Sequence, residues 1–190
     1  MIEKFLPEVR LTASQNLLLV NVKPDHRAEI DRVLSEHGIS SANPFSPTRL
    51  ASMACPALPT CGLALAESER TMPEFVTRIE GLLSELGLQE QEITVRMTGC
   101  PNGCARPYMA EIAFVGKAPN KYQIYLGGNQ PSTRLNRLWK DSVKTDDLLN
   151  ELRAVLSRYV SEKESEERFG DFCARVLWKE APVQTTVIRK

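Results

Sequence analysis

The chain has 190 residues, 42% hydrophobic and 25% charged. That composition excludes a disordered or fibrous protein and suits one generous domain or two small ones. Lysine plus arginine and aspartate plus glutamate each count 24, so net charge supplies no drive toward nucleic acid or an anionic membrane. The longest apolar run, around Leu17 to Val22, is far short of the roughly 20 residues of a membrane span. The start Met1-Ile-Glu-Lys-Phe5 lacks the basic and apolar regions of a secretory signal. The expectation is a cytoplasmic protein with neither a membrane nor a nucleic-acid partner.

Residues 1–10 read as an extended lead-in, with Pro7 ahead of the first regular element. Residues 15–22, rich in strand formers, predict a buried strand closed by a turn at Lys23-Pro24-Asp25. From His26 to His37 the apolar positions Ala28, Ile30, Val33 and Leu34 recur at helical spacing, and Gly38 supplies a stop. A Ser/Pro/Asn-rich loop follows over residues 40–48. Residues 53–65 carry Cys55 and Cys61, and Pro56 and Pro59 argue against a regular helix between them.

A clear helix comes next. Thr71 is placed to cap it, Pro73 suits its first turn, and Phe75, Val76, Ile79, Leu82, Leu83 and Leu86 form its apolar stripe before Gly87. Residues 92–97 alternate polar and apolar, predicting a strand with one buried face that runs into Thr98-Gly-Cys-Pro-Asn-Gly-Cys104. Two more strands are expected at 110–115 and 122–126, joined by a turn and followed by the break Gly127-Gly128-Asn129. Asp146 or Asp147 is placed to cap a long helix with the stripe Leu148, Leu149, Leu152, Val155, Leu156 and Tyr159. Residues 161–168 read as a solvated helix end, and residues 169–178 as a last strand. Strands and helices without a regular βαβ rhythm place the chain in the α+β class.

Five cysteines is an odd number, and four sit in two tight pairs, Cys55-x5-Cys61 and Cys100-x3-Cys104. In a reducing compartment such clusters bind metal or do redox chemistry more often than they form disulfides. Four thiolates suit a [4Fe–4S] cluster, in which each iron takes one terminal sulfur. Structural zinc sites use spacings of two to four, which fits the second pair better than the first. A proline directly after Cys55 and after Cys100 fixes the backbone and removes a donor beside the sulfur. Gly99 and Gly103 let a bulky group approach the chain. Spacing alone leaves the cluster, zinc and unliganded thiols all open. Cys173 matches no ligand motif and reads as a buried free thiol. His26 and His37 are unsupported as ligands, and Trp139 and Trp178 read as core or interface residues.

The stretch from Thr98 to Tyr108, Thr-Gly-Cys-Pro-Asn-Gly-Cys-Ala-Arg-Pro-Tyr, closely resembles the siroheme-proximal signature of assimilatory sulfite reductases. Ser52-Met-Ala-Cys-Pro-Ala-Leu-Pro-Thr-Cys61 resembles their partner motif. Gly116-Lys-Ala-Pro119, Leu126-Gly-Gly-Asn129 and Phe169-Gly-Asp-Phe172 extend the likeness in the same order. The resemblance implies a ferredoxin-like half-domain (residues 1–50) followed by a mixed α/β domain that binds a [4Fe–4S] cluster and siroheme (residues 51–190).

It also implies that Cys55, Cys61, Cys100 and Cys104 ligate the cluster. Cys104 would bridge to the siroheme iron and so act as the catalytic residue, with backbone amides around Asn102 and Gly103 bonding the sulfurs. Asn102, Arg106, Arg49 and Asn129 are the further siroheme-binding candidates, Arg106 because its fork suits a carboxylate. The implied activity is the six-electron reduction of sulfite to sulfide in sulfur assimilation, with electrons from a flavoprotein subunit or a ferredoxin. Most of the Arg and Lys side chains of the family's substrate face lie in chain preceding the matched region. The expectation is therefore a part of a longer enzyme that cannot complete a sulfite pocket without that missing half. The alternatives are a siroheme nitrite reductase, a non-catalytic iron–sulfur electron-transfer domain and a zinc-stabilised module.

Overall fold

The computed structural model describes residues 2–12, 16–40 and 44–179. Gln15 of the first predicted strand, residues 41–43 of the following loop and residues 180–190 lie outside the described residues. The chain divides into two units between Phe45 and Ser46.

In the first unit the expected extended lead-in is a helical turn, α1 (Ile2–Phe5), followed by a strand, β1 (Glu8–Leu11). β1 pairs antiparallel with β2 (Leu17–Val20), Glu8 opposite Val20 and Leu11 opposite Leu17. A 3-10 turn at Pro24–His26 leads into α2 (Arg27–Glu36), the predicted helix. The predicted burial of the first strand is corrected, since Leu17 is 63% and Leu18 52% exposed. A two-stranded ribbon has no third strand beside it, and Ile30 is the one buried residue described in this unit. His26 packs its ring against Phe5, with centroids 5.2 Å apart, which is a structural use of that histidine.

The second unit is a five-stranded mixed sheet in the order β3-β4-β5-β6-β7. A short helix α3 (Pro47–Leu50), capped by Ser46 Oγ accepting from Arg49 N at 3.1 Å, precedes β3 (Met53–Ala54). Helix α4 (Met72–Glu85) crosses over to β4 (Val95–Thr98), which runs parallel to β3. β5 (Ile112–Ala118) is parallel to β4, and β6 (Lys121–Leu126) and β7 (Arg137–Lys144) extend the sheet antiparallel. Helix α5 (Leu148–Glu162) follows, then α6 (Phe169–Phe172) and a wide π-helical turn at Cys173–Leu177.

One face of the sheet carries the core. Val95 and Met97 of β4, Ile112 and Phe114 of β5, and Tyr122, Ile124 and Leu126 of β6 meet the predicted stripes of α4 and α5. The Phe75 and Phe114 rings cross edge to face at 5.1 Å. Burial of side chains of this size contributes about 1.5–3 kcal/mol each.

Residues 169–178 form no strand, contrary to the expectation. Phe169, Phe172 and Cys173 fall at i, i+3 and i+4, so helical winding puts all three on one side. Tyr159 of α5 receives both rings there, at 5.5 and 5.3 Å. Strand β7 was not anticipated from the sequence. It is an edge strand with Val143 as its one buried residue, so it shows no period-two pattern. Thr71 and Asp147 do occupy the N-cap positions of α4 and α5, but neither side chain accepts a capping hydrogen bond. Both already have helical backbone angles, whereas a capping residue is typically extended.

Candidate metal centre

β3 and β4 are adjacent and parallel, with Ala54 opposite Met97. The chain that leaves β3 and the chain that leaves β4 therefore emerge at the same end of the sheet. Cys55 is the first residue beyond β3, and Cys100 is the second beyond β4. Ligand sites in sheets of parallel strands gather outside such carboxyl ends. The pairing is extended by Cys55 N donating to Met97 O at 3.2 Å.

The first loop turns tightly. Pro56 is followed by Ala57 in a left-handed conformation (φ 51°), and Cys61 N donates to Ala57 O at 2.7 Å. The Leu58–Pro59 peptide is cis. The second loop closes through Gly103 N to Cys100 O at 3.5 Å and Arg106 N to Gly103 O at 2.8 Å. Cys55, Ala57 and Ala105 bury one another, with Met53 and Ala64 packed against them, so the two loops meet.

All five cysteines are free thiols. Cys55 and Cys100 are buried, Cys61 is partly exposed and Cys104 is exposed. The Gly99 amide donates to Cys55 Sγ at 3.3 Å. Gly103 instead directs its amide to the Cys100 carbonyl. Among the described residues no three His, Cys, Asp or Glu side chains converge as ligands of a single metal ion. A [4Fe–4S] cluster makes a different demand, because each thiolate binds its own iron and the cluster's body separates the sulfurs. Four soft thiols on two meeting loops, one already bonded by an amide, fit that group.

The other predicted residues are placed as follows. Asn102 lies exposed between the two cysteines of the second loop. Arg106 adopts a left-handed backbone (φ 54°, ψ 48°) at the start of a 3-10 turn, and its Nη2 approaches Met53 Sδ at 3.4 Å. Arg49 turns to α4, where Nε and Nη2 bind both oxygens of Glu80 and Nη2 donates to Thr77 Oγ1 at 2.8 Å. Asn129 is buried and builds its own turn. Its Oδ1 accepts from Thr133 N at 2.9 Å and Arg134 N at 2.8 Å, and its Nδ2 donates to Thr133 Oγ1 at 2.8 Å.

Arg96 was not singled out from the sequence. The alternation of residues 92–97 nonetheless puts it on the sheet face opposite Val95 and Met97. Its Nη1 donates to Arg106 O at 2.9 Å, pinning the left-handed residue two places beyond Cys104. Arg96 Nε is buried without a partner, and burial together with the neighbouring Arg106 holds the guanidinium below its ordinary pKa. Cys173 sits far along the chain from the ligand motifs, fully buried on the core side, and burial pushes its thiol well above the ordinary range.

Residues 46–181 match the family described as the nitrite and sulphite reductase 4Fe-4S domain. The sulfite reductase [NADPH] hemoprotein beta-component of Staphylococcus carnosus (strain TM300) is 51% identical over 168 residues, covering 88% of this chain and 30% of that protein. The corresponding protein of Bacillus subtilis (strain 168) is 50% identical over 168 residues, again covering 88% of this chain and 29% of its own length. The chain thus spans under a third of the curated relatives it matches. The solved structure of the Mycobacterium tuberculosis NirA protein superimposes with a TM-score of 0.72 at 25% identity, covering 92% of this chain and 34% of that one. The matched span contains both cysteine loops and the sheet that brings them together, and the chain belongs to the nitrite and sulphite reductase 4Fe-4S domain family.

Proposed function

We propose that this chain is the cluster- and siroheme-bearing part of an enzyme that reduces sulfite to sulfide. The observation that carries the proposal is the emergence of both cysteine loops from the carboxyl ends of one parallel strand pair, in a chain about half identical to sulfite reductase hemoproteins. Cys55, Cys61, Cys100 and Cys104 would hold a [4Fe–4S] cluster, and siroheme would sit against the exposed Cys104. When bound, this pair of groups would supply single electrons for the reduction of the substrate.

The protein's own residues do the positioning. Arg96 fixes the backbone of Arg106, and so the chain just past Cys104. Arg106 and Asn102 are the side chains nearest in sequence to Cys104 that can bond siroheme's polar edge. Arg49 and Asn129 enter the proposal through the structure they hold, Arg49 anchoring α3 to α4 and Asn129 shaping its turn. The NADPH in the relatives' names favours a partner subunit that takes electrons from that donor.

The test is anaerobic purification of the protein at its native length, followed by iron, acid-labile sulfide and siroheme analysis. Sulfide release is then assayed with sulfite, and turnover with nitrite is measured alongside. One four-iron cluster and one siroheme per chain, with sulfite the faster substrate, are expected. Zinc in place of iron would overturn the proposal, as would iron without siroheme or a preference for nitrite.

A further inference from the structure

We infer that Gly116, on β5 and outside both cysteine loops, is a positioning residue for the metal centre. It makes the room in which the backbone of Gly99 bonds the Cys55 sulfur. This rests on the reading of Cys55 as a cluster ligand.

The register dictates the juxtaposition. Thr98 pairs with Val115, so the next residues, Gly99 and Gly116, stand side by side. A Cβ on Gly116 would lie 2.3 Å from Gly99 O and 2.6 Å from Gly99 C, both backbone atoms, and 2.9 Å from Ala66 Cβ. Real Cβ atoms do not approach that closely, so Gly99 would have to move. The other side offers no space: a Cβ on Gly99 would already lie 2.6 Å from Ala57 Cβ and from Ala66 O.

Gly99 is also held at three points. Its carbonyl accepts from Leu65 N at 2.8 Å and Ala66 N at 3.0 Å, which ties the first cysteine loop to the second. Its amide donates to Cys55 Sγ at 3.3 Å. The Gly99 carbonyl and amide belong to successive peptides that pivot on one Cα, so a carbonyl pushed off β5 swings the amide off the sulfur. A hydrogen bond to a ligand sulfur favours the more negative, reduced state of a cluster, and is one of the levers that set its potential. Weakening this one moves the potential down. The expected size is on the order of tenfold in the one-electron equilibrium, about 59 mV more negative.

The experiment is an EPR-monitored redox titration of holoprotein carrying Gly116→Ala. Gly81→Ala on α4 serves as the control, since a Cβ there meets nothing within 4 Å. A downward shift in Gly116→Ala at full iron content, with none in Gly81→Ala, is the expected result. A lower Tm with an unmoved potential would mark Gly116 as merely structural and overturn the inference alone. Wild-type protein that binds no iron would overturn the cluster reading and this inference with it. If Gly116→Ala does not fold, pulsed EPR on reduced wild-type holoprotein labelled with 15N-glycine decides. A glycine nitrogen coupling that persists when Gly62→Ala and Gly103→Asn remove the glycines beside Cys61 and Cys104 supports the inference, and its absence rejects it.

Discussion

Glu111 offers the sharpest test of how the second unit is held together. Its side chain is completely buried, immediately ahead of β5. Oε2 accepts from Thr94 N at 2.9 Å, Thr94 Oγ1 at 3.3 Å and Arg168 Nη2 at 3.3 Å, and Oε1 accepts from Gly170 N at 3.1 Å. Thr94 Oγ1 in turn accepts from Glu111 N at 2.8 Å. One carboxylate therefore joins the start of β4, the start of β5 and α6. Replacing it with the isosteric amide, Glu111→Gln, puts an NH2 group among donors. The better orientation keeps oxygen on the Thr94 side and leaves Gly170 N–H buried without an acceptor, which costs about 1–3 kcal/mol. Loss of the charge toward Arg168 adds less than about 1 kcal/mol, because Arg168 is 38% exposed and screened by solvent.

The expected destabilisation is thus about 1–4 kcal/mol, a large share of the ~5–15 kcal/mol that holds a typical domain. Urea unfolding of the cofactor-free protein followed by circular dichroism measures it as a shift in midpoint at unchanged slope. A loss below about 1 kcal/mol would refute the satisfaction argument. Glu111 lies at the amino end of β4 and the cysteines lie beyond its carboxyl end. Iron uptake per folded molecule should therefore stay at the wild-type level.

Burial pushes Tyr122 and Tyr159 up to about 12. Both should stay protonated near pH 11 in a spectrophotometric titration, and the stability they contribute, complete below about 10, should fall as pH rises toward 12. Glu80 is held below its ordinary pKa, first by the Arg49 hydrogen bonds and next by that from Ser46, against the opposing effect of burial. Its contribution, about 1 kcal/mol for a half-buried pair at the surface, is present above the ordinary value and lost as pH falls through the depressed one. Wild type and Glu80→Gln should therefore differ in unfolding midpoint near neutrality and converge in acid. In cofactor-free protein, mass-spectrometric alkylation should label the exposed Cys104 fastest and the buried Cys173 only after unfolding.

How much was legible follows from which side chains carry the information. α4 and α5 each bury one continuous stripe, so a period of 3.6 announced them. β7 buries a single residue and announced nothing. The segment from Phe169 to Leu177 was misread because a short apolar stretch rich in aromatics suits a strand and a buried helix alike. The cysteines were legible as pairs, since each pair lies within one loop. Arg96 and Gly116 were not. Each reaches the cysteine loops through a neighbouring element, Arg96 through Arg106 O and Gly116 through Gly99 O, and such contacts exist only once β4 is in register with its neighbours.

That dependence gives the long gap between the cysteine pairs a physical role. Two parallel strands cannot be joined by a tight turn; the return crossover takes about a dozen residues or more. Here α4 fills the crossover, covers the core face of the sheet and delivers Met97 opposite Ala54. A one-residue slip of β4 would drive Arg96 into the apolar core and turn Met97 out of it. It would also carry Gly99 away from Gly116, breaking the bond to the Cys55 sulfur along with the core packing. The burial that fixes the fold and the geometry that presents the thiols are therefore one register. For that reason two loops distant in sequence need no disulfide to hold their cysteines side by side.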